Sequence, residues 1–208
     1  MQYLLMGILL GLTAGISPGP LLTLVVTETL KYGKKSGVRI ALSPLVTDVP
    51  IILLTLYIFS GLTYLHSILG FISIAGGIFI AYLGVGTLRT KGMNVDENRI
   101  ATDSFKKGIV ANFLSPHPYL FWSLVGAPIF ISAWEAEPIA ALLFLLVFYT
   151  MLTGSKVLIA WLTEKSRSFL NGKLYIGIMR ILGVVLLVFA LFFFFDGLKM
   201  LSGQVLHK

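Results

Sequence analysis

Six stretches of mainly apolar residues, running roughly 3 to 29, 38 to 62, 67 to 88, 108 to 133, 138 to 162 and 175 to 200, take up nearly the whole chain. A helix needs about 20 such residues to cross the hydrocarbon of a bilayer, and inside lipid only helices or closed barrels satisfy the backbone. The chain therefore reads as an all-α integral membrane protein with six transmembrane helices. At 57% hydrophobic and 12% charged residues, with a mean hydropathy of +0.92, it is more apolar than a soluble core of this size requires. No stretch is left over for a separate soluble domain, so residues 1–208 are expected to form one membrane domain. The first segment lacks a basic leader and a small-residue cleavage site, and it is expected to stay as a permanent first helix. The chain has no cysteine, which excludes disulfides, thiolate metal sites and thiol redox chemistry.

Charge fixes an expected topology. Lys31, Lys34, Lys35 and Arg39 lie in the first connection, Arg89, Lys91, Arg99, Lys106 and Lys107 in the third, and Lys165, Arg167, Lys173 and Arg180 in the fifth. The second connection carries only His66, and the fourth carries Glu135 and Glu137 without a base. The positive-inside rule then puts the three basic connections in the cytoplasm and both termini outside. The net charge of +7 is thus mostly topology. Spread over three short loops, it does not form a nucleic-acid surface.

The chain repeats itself. "GLTAGISPGPLL" (11–22) and "GIVANFLSPHPYLFW" (108–122) share a Ser-Pro-x-Pro core, "TDVPIILLT" (47–55) resembles "SKVLIAWLT" (155–163), and "LGVGTLR" (83–89) resembles "FFFDGLK" (193–199), which sets Gly86 against Gly197. Each half, about 1–90 and 106–208, holds three helices, so the second half must enter the membrane in the opposite sense. That is a 3+3 inverted repeat, an architecture tied to alternating access in secondary transporters.

The double prolines break the first and fourth helices of this scheme. Proline has no N–H and its ring clashes with the carbonyl four residues back, at about 3 kcal/mol or more inside a helix. Pro18 and Pro20 free the carbonyls of Ala14 and Ile16, and Pro116 and Pro118 free those of Asn112 and Leu114. Ser17 and Ser115 each precede a proline, as an N-cap precedes a proline at the first helical position. Each break, with Gly19 and His117 between its prolines, is read as a helix start at membrane depth that attracts anions beside carbonyls that attract ammonium groups. A free amino acid carries both charges.

Asp48 lies near the middle of the second helix, where a carboxylate costs about 2.5–3.5 kcal/mol on insertion scales and is a functional candidate by default. Lys156 is its counterpart in the repeat. The two either pair with each other, or Asp48 takes an ammonium or a coupling proton while Lys156 attends a carboxylate; a third reading has Lys156 snorkel to the interface. Asn112 and His117 flank the second break as polar site groups or a proton relay. Glu28 and Asp196 sit near helix ends and are read as loop-solvated, "ALFFFFDG" (190–197) as lipid-facing, and Gly76, Gly77, Gly84 and Gly86 as packing residues.

At "GISPGP", "NFLSPHPYLFW" and "AYLGVGTLR" the chain resembles the lysine-exporter (LysE-type) translocator family, related to the homoserine and threonine exporters. The resemblance implies an exporter of amino acids in the cytoplasmic membrane, driven by proton exchange, with motif prolines at Pro18, Pro20 and Pro116. Where many members have Asn-Pro-Lys, this chain has Ser115, Pro116 and His117, so the family's basic substrates do not carry over. The leading reading is a secondary exporter of amino acids or similar zwitterions with the two breaks and Asp48 as its site. Its partners are the substrate, a proton and the bilayer, and a homodimer suits a bundle this small. No cofactor and no metal is called for: there is no Gly-rich phosphate loop, and three histidines without cysteine make a poor soft-metal site. The alternatives are an exporter of inorganic ions and a non-transport membrane protein. An enzyme is disfavoured by the lack of a nucleophile with a base or of paired carboxylates at depth.

Overall fold

The computed structural model describes residues 1–58, 62–90, 97–167 and 172–202, with side chains for 1–55, 68–90, 103–167 and 172–202. Lys91 lies outside the described residues, as do the side chains of His66 and Arg99. Within them the chain is helical, in the order α1 (Gln2–Ile16), α2 (Pro20–Tyr32), α3 (Lys34–Ala41), α4 (Pro44–Ile58), α5 (Leu62–Leu88), α6 (Glu97–Phe113), α7 (Pro116–Phe121), a π-helical turn (Trp122–Gly126), α8 (Ala127–Ala136), α9 (Pro138–Arg167) and α10 (Gly172–Leu201). Five stretches are long and apolar enough to cross a membrane: Lys34–Thr55, Ile68–Leu88, Pro116–Ala136, Pro138–Arg167 and Gly172–Leu201. A sixth is the pair α1 and α2, whose axes meet at 59°.

Local chemistry sets each helix end. Ser17 stands before a proline, which disfavours the helical region; its ψ of 126° ends α1 while its N–H still reaches Thr13 O at 2.9 Å. Ser17 therefore closes α1 and is not the N-cap of α2. That place falls to Gly19, in extended backbone, with Pro20 at the first helical position. Ser115 does hold the N-cap place ahead of Pro116, but its hydroxyl makes no capping bond. The α2–α3 corner turns on Gly33, whose φ of 88° suits glycine alone.

A further break was not foreseen. The stretch 38–62, expected as one helix, is interrupted at Leu42 and Ser43 ahead of Pro44. Pro44 has no N–H for Ile40 O, which instead accepts the Ser43 N–H at 3.0 Å and the Ser43 hydroxyl at 2.8 Å. Asp48 consequently sits one turn into a new helix.

Two glycine-lined seams hold the bundle together. On α1, Gly7, Gly11 and Gly15 recur every four residues and lie against α9; a Cβ at Gly11 would come within 2.5 Å of Phe148 O. Between α5 and α10, Gly70 meets Gly197, Gly77 meets Ala190 and Gly84 meets Gly183 across antiparallel axes. Gly76 gives room to Leu114 O at the end of α6, whereas Gly86 faces open space and packs on nothing. Without a hydrophobic drive between helices in lipid, such backbone approach is what makes them associate. The outer faces carry large apolar residues such as Phe71, Ile78, Tyr82, Trp134 and Trp161, all well exposed, as lipid-facing surface must be. The phenylalanine run divides: Phe192 and Phe195 point outward, while Phe193 is buried beside Gly76 and His117.

Candidate functional site

A cavity of about 290 Å³ opens where the breaks converge. Ser17, Pro18, Gly19 and Pro20 border it from the α1–α2 break, Ser115, His117 and Pro118 from the α6–α7 break, and Asp48, Asn112 and Lys156 from α4, α6 and α9. Of the eleven candidate site residues only Pro116 lies outside the lining; it is buried at the start of α7. Ser17, Pro18 and His117 are exposed at the lip, and the His117 ring rests against Phe193 with centroids 5.9 Å apart.

Asp48 is 5% exposed. Its Oδ1 accepts the Asn112 amide at 2.8 Å and the Thr47 hydroxyl at 3.4 Å, and its Oδ2 accepts the Tyr149 hydroxyl at 3.2 Å. The Asn112 amide also donates to Thr47 Oγ1 at 2.6 Å, and Thr47 shares its one hydroxyl proton between Asp48 Oδ1 and Ser43 O, the latter at 3.1 Å, so the Ser43–Pro44 break supports the shell. All these donors are neutral. Among the described residues Asp48 has no cation within ion-pair distance.

Lys156 is 4% exposed and donates to Ala14 O at 3.1 Å. That is the carbonyl freed by Pro18. The lysine thus neither snorkels to the interface nor pairs with Asp48; it satisfies the backbone of the first break and keeps two N–H donors. The α2 start adds backbone N–H groups of Leu21 and Leu22, both lining the cavity. The arrangement can hold an anionic group near Lys156 and α2 and a cationic group at Asp48.

Several site residues escaped the sequence reading. Tyr149 lies two turns before Lys156 on the same face of α9, a seven-residue spacing that could have flagged it. Trp122 is brought in by the π turn: Ala127 N–H reaches back to Trp122 O, and Gly126 leaves room for the indole ring. Such turns are frequent at functional sites. Glu28, expected to be solvated, is 3% exposed, bonded to Ser104 Oγ at 2.7 Å and paired with Lys107 Nζ at 2.9 Å. Helix α6 covers it, and α6 reaches back to Glu97, beyond the start at 108 expected for the fourth helix.

The family model described as LysE type translocator matches residues 12–197, a span that includes both proline breaks. The chain belongs to that family. No curated protein and no solved structure gives a match. As a LysE-type translocator with apolar helices long enough to span a bilayer, it is a multi-pass membrane protein of a family whose members export amino acids or other small molecules and are transporters rather than enzymes.

Proposed function

We propose that the chain is a secondary active exporter of amino acids or similar zwitterions in the cytoplasmic membrane, working by proton antiport and alternating access. The observation that carries this reading is a buried carboxylate ringed by neutral donors, with no ion-pair partner among the described residues, across one cavity from a buried lysine. An unpaired carboxylate at depth is tolerable when a mobile cation completes it. A substrate ammonium and a proton compete for Asp48: release of one admits the other, which couples the two flows in opposite directions. The substrate carboxylate goes to Lys156 and the free N–H groups at the start of α2.

The 3+3 inverted repeat supplies the two-sided access. Its support is the α5–α10 seam, where Gly70, Gly77 and Gly84 face Gly197, Ala190 and Gly183. Shifting the first set by a constant step in sequence gives the second, and the contacts run in reverse order, as a two-fold axis in the membrane plane through the Gly77–Ala190 contact would require. This register pairs Gly84, rather than Gly86, with Gly197. The α1–α9 contact has its counterpart in α4 against α6 and α7. Residues 1–208 then form one transporter domain of two halves, about 1–90 and 106–208, with basic connections in the cytoplasm and both termini outside.

On the cytoplasmic side of the cavity, Glu28 of α2, in the first half, holds Ser104 and Lys107 of α6, in the second. Leu24, Val25, Ile40, Ala111 and Ala160 pack there in one buried cluster. In this reading the form is closed to the cytoplasm, and the lip at Ser17, Pro18 and His117 is its open side. The test is reconstitution in liposomes preloaded with the twenty amino acids, with an imposed pH gradient. Gradient-dependent exit of a chemically related set, abolished in Asp48→Asn, is the expected result. Absence of any flux from folded protein would refute the reading.

A further inference from the structure

Resting on that transport reading, we infer that the substrate side chain is bulky and apolar or aromatic, and that the cavity discriminates against charged and hydroxylated amino acids. The polar inventory leads there. The cavity holds one buried carboxylate and one buried ammonium, which the two ends of a zwitterion use up. Of the other polar groups at depth, Asn112 donates to Thr47 and Asp48 and Tyr149 donates to Asp48, which leaves the buried Ser115 hydroxyl at the second break as a single neutral group. The uncommitted side chains, Ser17, Ser115 and His117, stand at the two helix breaks, and Ser17 and His117 are exposed at the lip. A charged substrate side chain would find no third counter-charge within.

The large side chains of the remaining wall are Leu21, Leu22, Phe121, Trp122, Phe148 and Leu152. Its aromatic members form one fixed stack: Phe121 lies parallel to Phe148 at 5.2 Å, and Trp122 meets Phe148 edge-on at 5.7 Å. Such rings offer face and edge contacts to a further ring or a branched aliphatic chain. Trp122 and Phe148 are about 1% exposed, so the stack is held by the core behind it and is rigid enough to discriminate. The volume of about 290 Å³ admits one small molecule and excludes a peptide.

The test ranks substrates on the unaltered protein in proteoliposomes, by the concentration of each unlabelled amino acid needed to halve exchange of a labelled mixture. Phenylalanine, tryptophan and leucine should act at concentrations about tenfold or more below those of threonine, lysine and aspartate, the discrimination expected from a few methylenes in an apolar pocket. Equal or better competition by lysine, aspartate or threonine overturns the inference and leaves the exporter reading intact. No exchange of any amino acid by folded protein overturns both. Phe121→Ala, at a half-buried position, should narrow the gap between phenylalanine and threonine; an unchanged gap would show that this wall does not select.

Discussion

Asp48 and Lys156 show what a single charge inside an apolar run discloses and what it hides. Their depth made both visible in the sequence, because neither is affordable in a lipid-facing position. Of their partners only Asn112 stood out, beside the second break; Thr47 and Tyr149 are ordinary residues until folding aims them at one carboxylate. The opposite error occurred at Glu28, where nearness to a helix end suggested water and the fold supplied Ser104 and Lys107. Two substitutions separate charge from bonding. Asp48→Asn should abolish proton-coupled flux, while thermal stability in detergent holds or rises because a buried charge is removed; a clear fall in stability would mean the carboxylate is structural. Lys156→Met should destabilise by about 1–3 kcal/mol, the desolvation penalty of leaving Ala14 O without a donor, and Lys156→Gln, which retains a donor, should recover part of it. Unchanged melting of Lys156→Met would show that water replaces the amine.

At the level of helices, the number and approximate extent of the apolar spans were legible because hydropathy is summed over about 20 residues. Helix ends depended on shorter signals. Two of three Ser-Pro breaks stood out through repetition of the Ser-Pro-x-Pro core, whereas Ser43–Pro44 has one proline and an apolar context and passed as helix. The π turn had no signal, since it answers to the packing of Trp122 over Gly126. Glycines likewise gave no sign of which faced a neighbour, and the structure separates them into a test. Gly11→Ala sets a Cβ against the Phe148 backbone and Met151 and should destabilise by about 1–3 kcal/mol through overpacking. Gly154→Ala, in α9 with nothing within 4 Å, should be neutral or stabilising by up to about 1 kcal/mol from helix propensity alone. Equal effects in thermal unfolding would mean that the α1–α9 seam yields rather than packs.

For the molecule as a whole, the proposed transport cycle places control of access in contacts that no motif announces. In the proposed inverted repeat α2 and α6 belong to different halves, and besides apolar packing they are joined by the buried Glu28, which binds Ser104 and pairs with Lys107. Removing one partner of such a pair leaves an uncompensated charge and is costly, but Glu28→Gln keeps a group able to bond Ser104 while cancelling the attraction to Lys107. If this contact holds the cytoplasmic side shut, Glu28→Gln shifts the population toward a cytoplasm-open form without unfolding the bundle. The chain has no native cysteine, so one probe suffices: Ala111, 2% exposed, belongs both to the apolar cluster and to the cavity lining, and Ala111→Cys should react slowly with a membrane-impermeant maleimide added from the cytoplasmic side. Adding Glu28→Gln should raise that rate several-fold, and the reversed pair Glu28→Lys with Lys107→Glu should bring it back down. A rate set by neither substitution would mean that the apolar cluster alone closes this side, with the ion pair merely riding on the movement of α2 against α6.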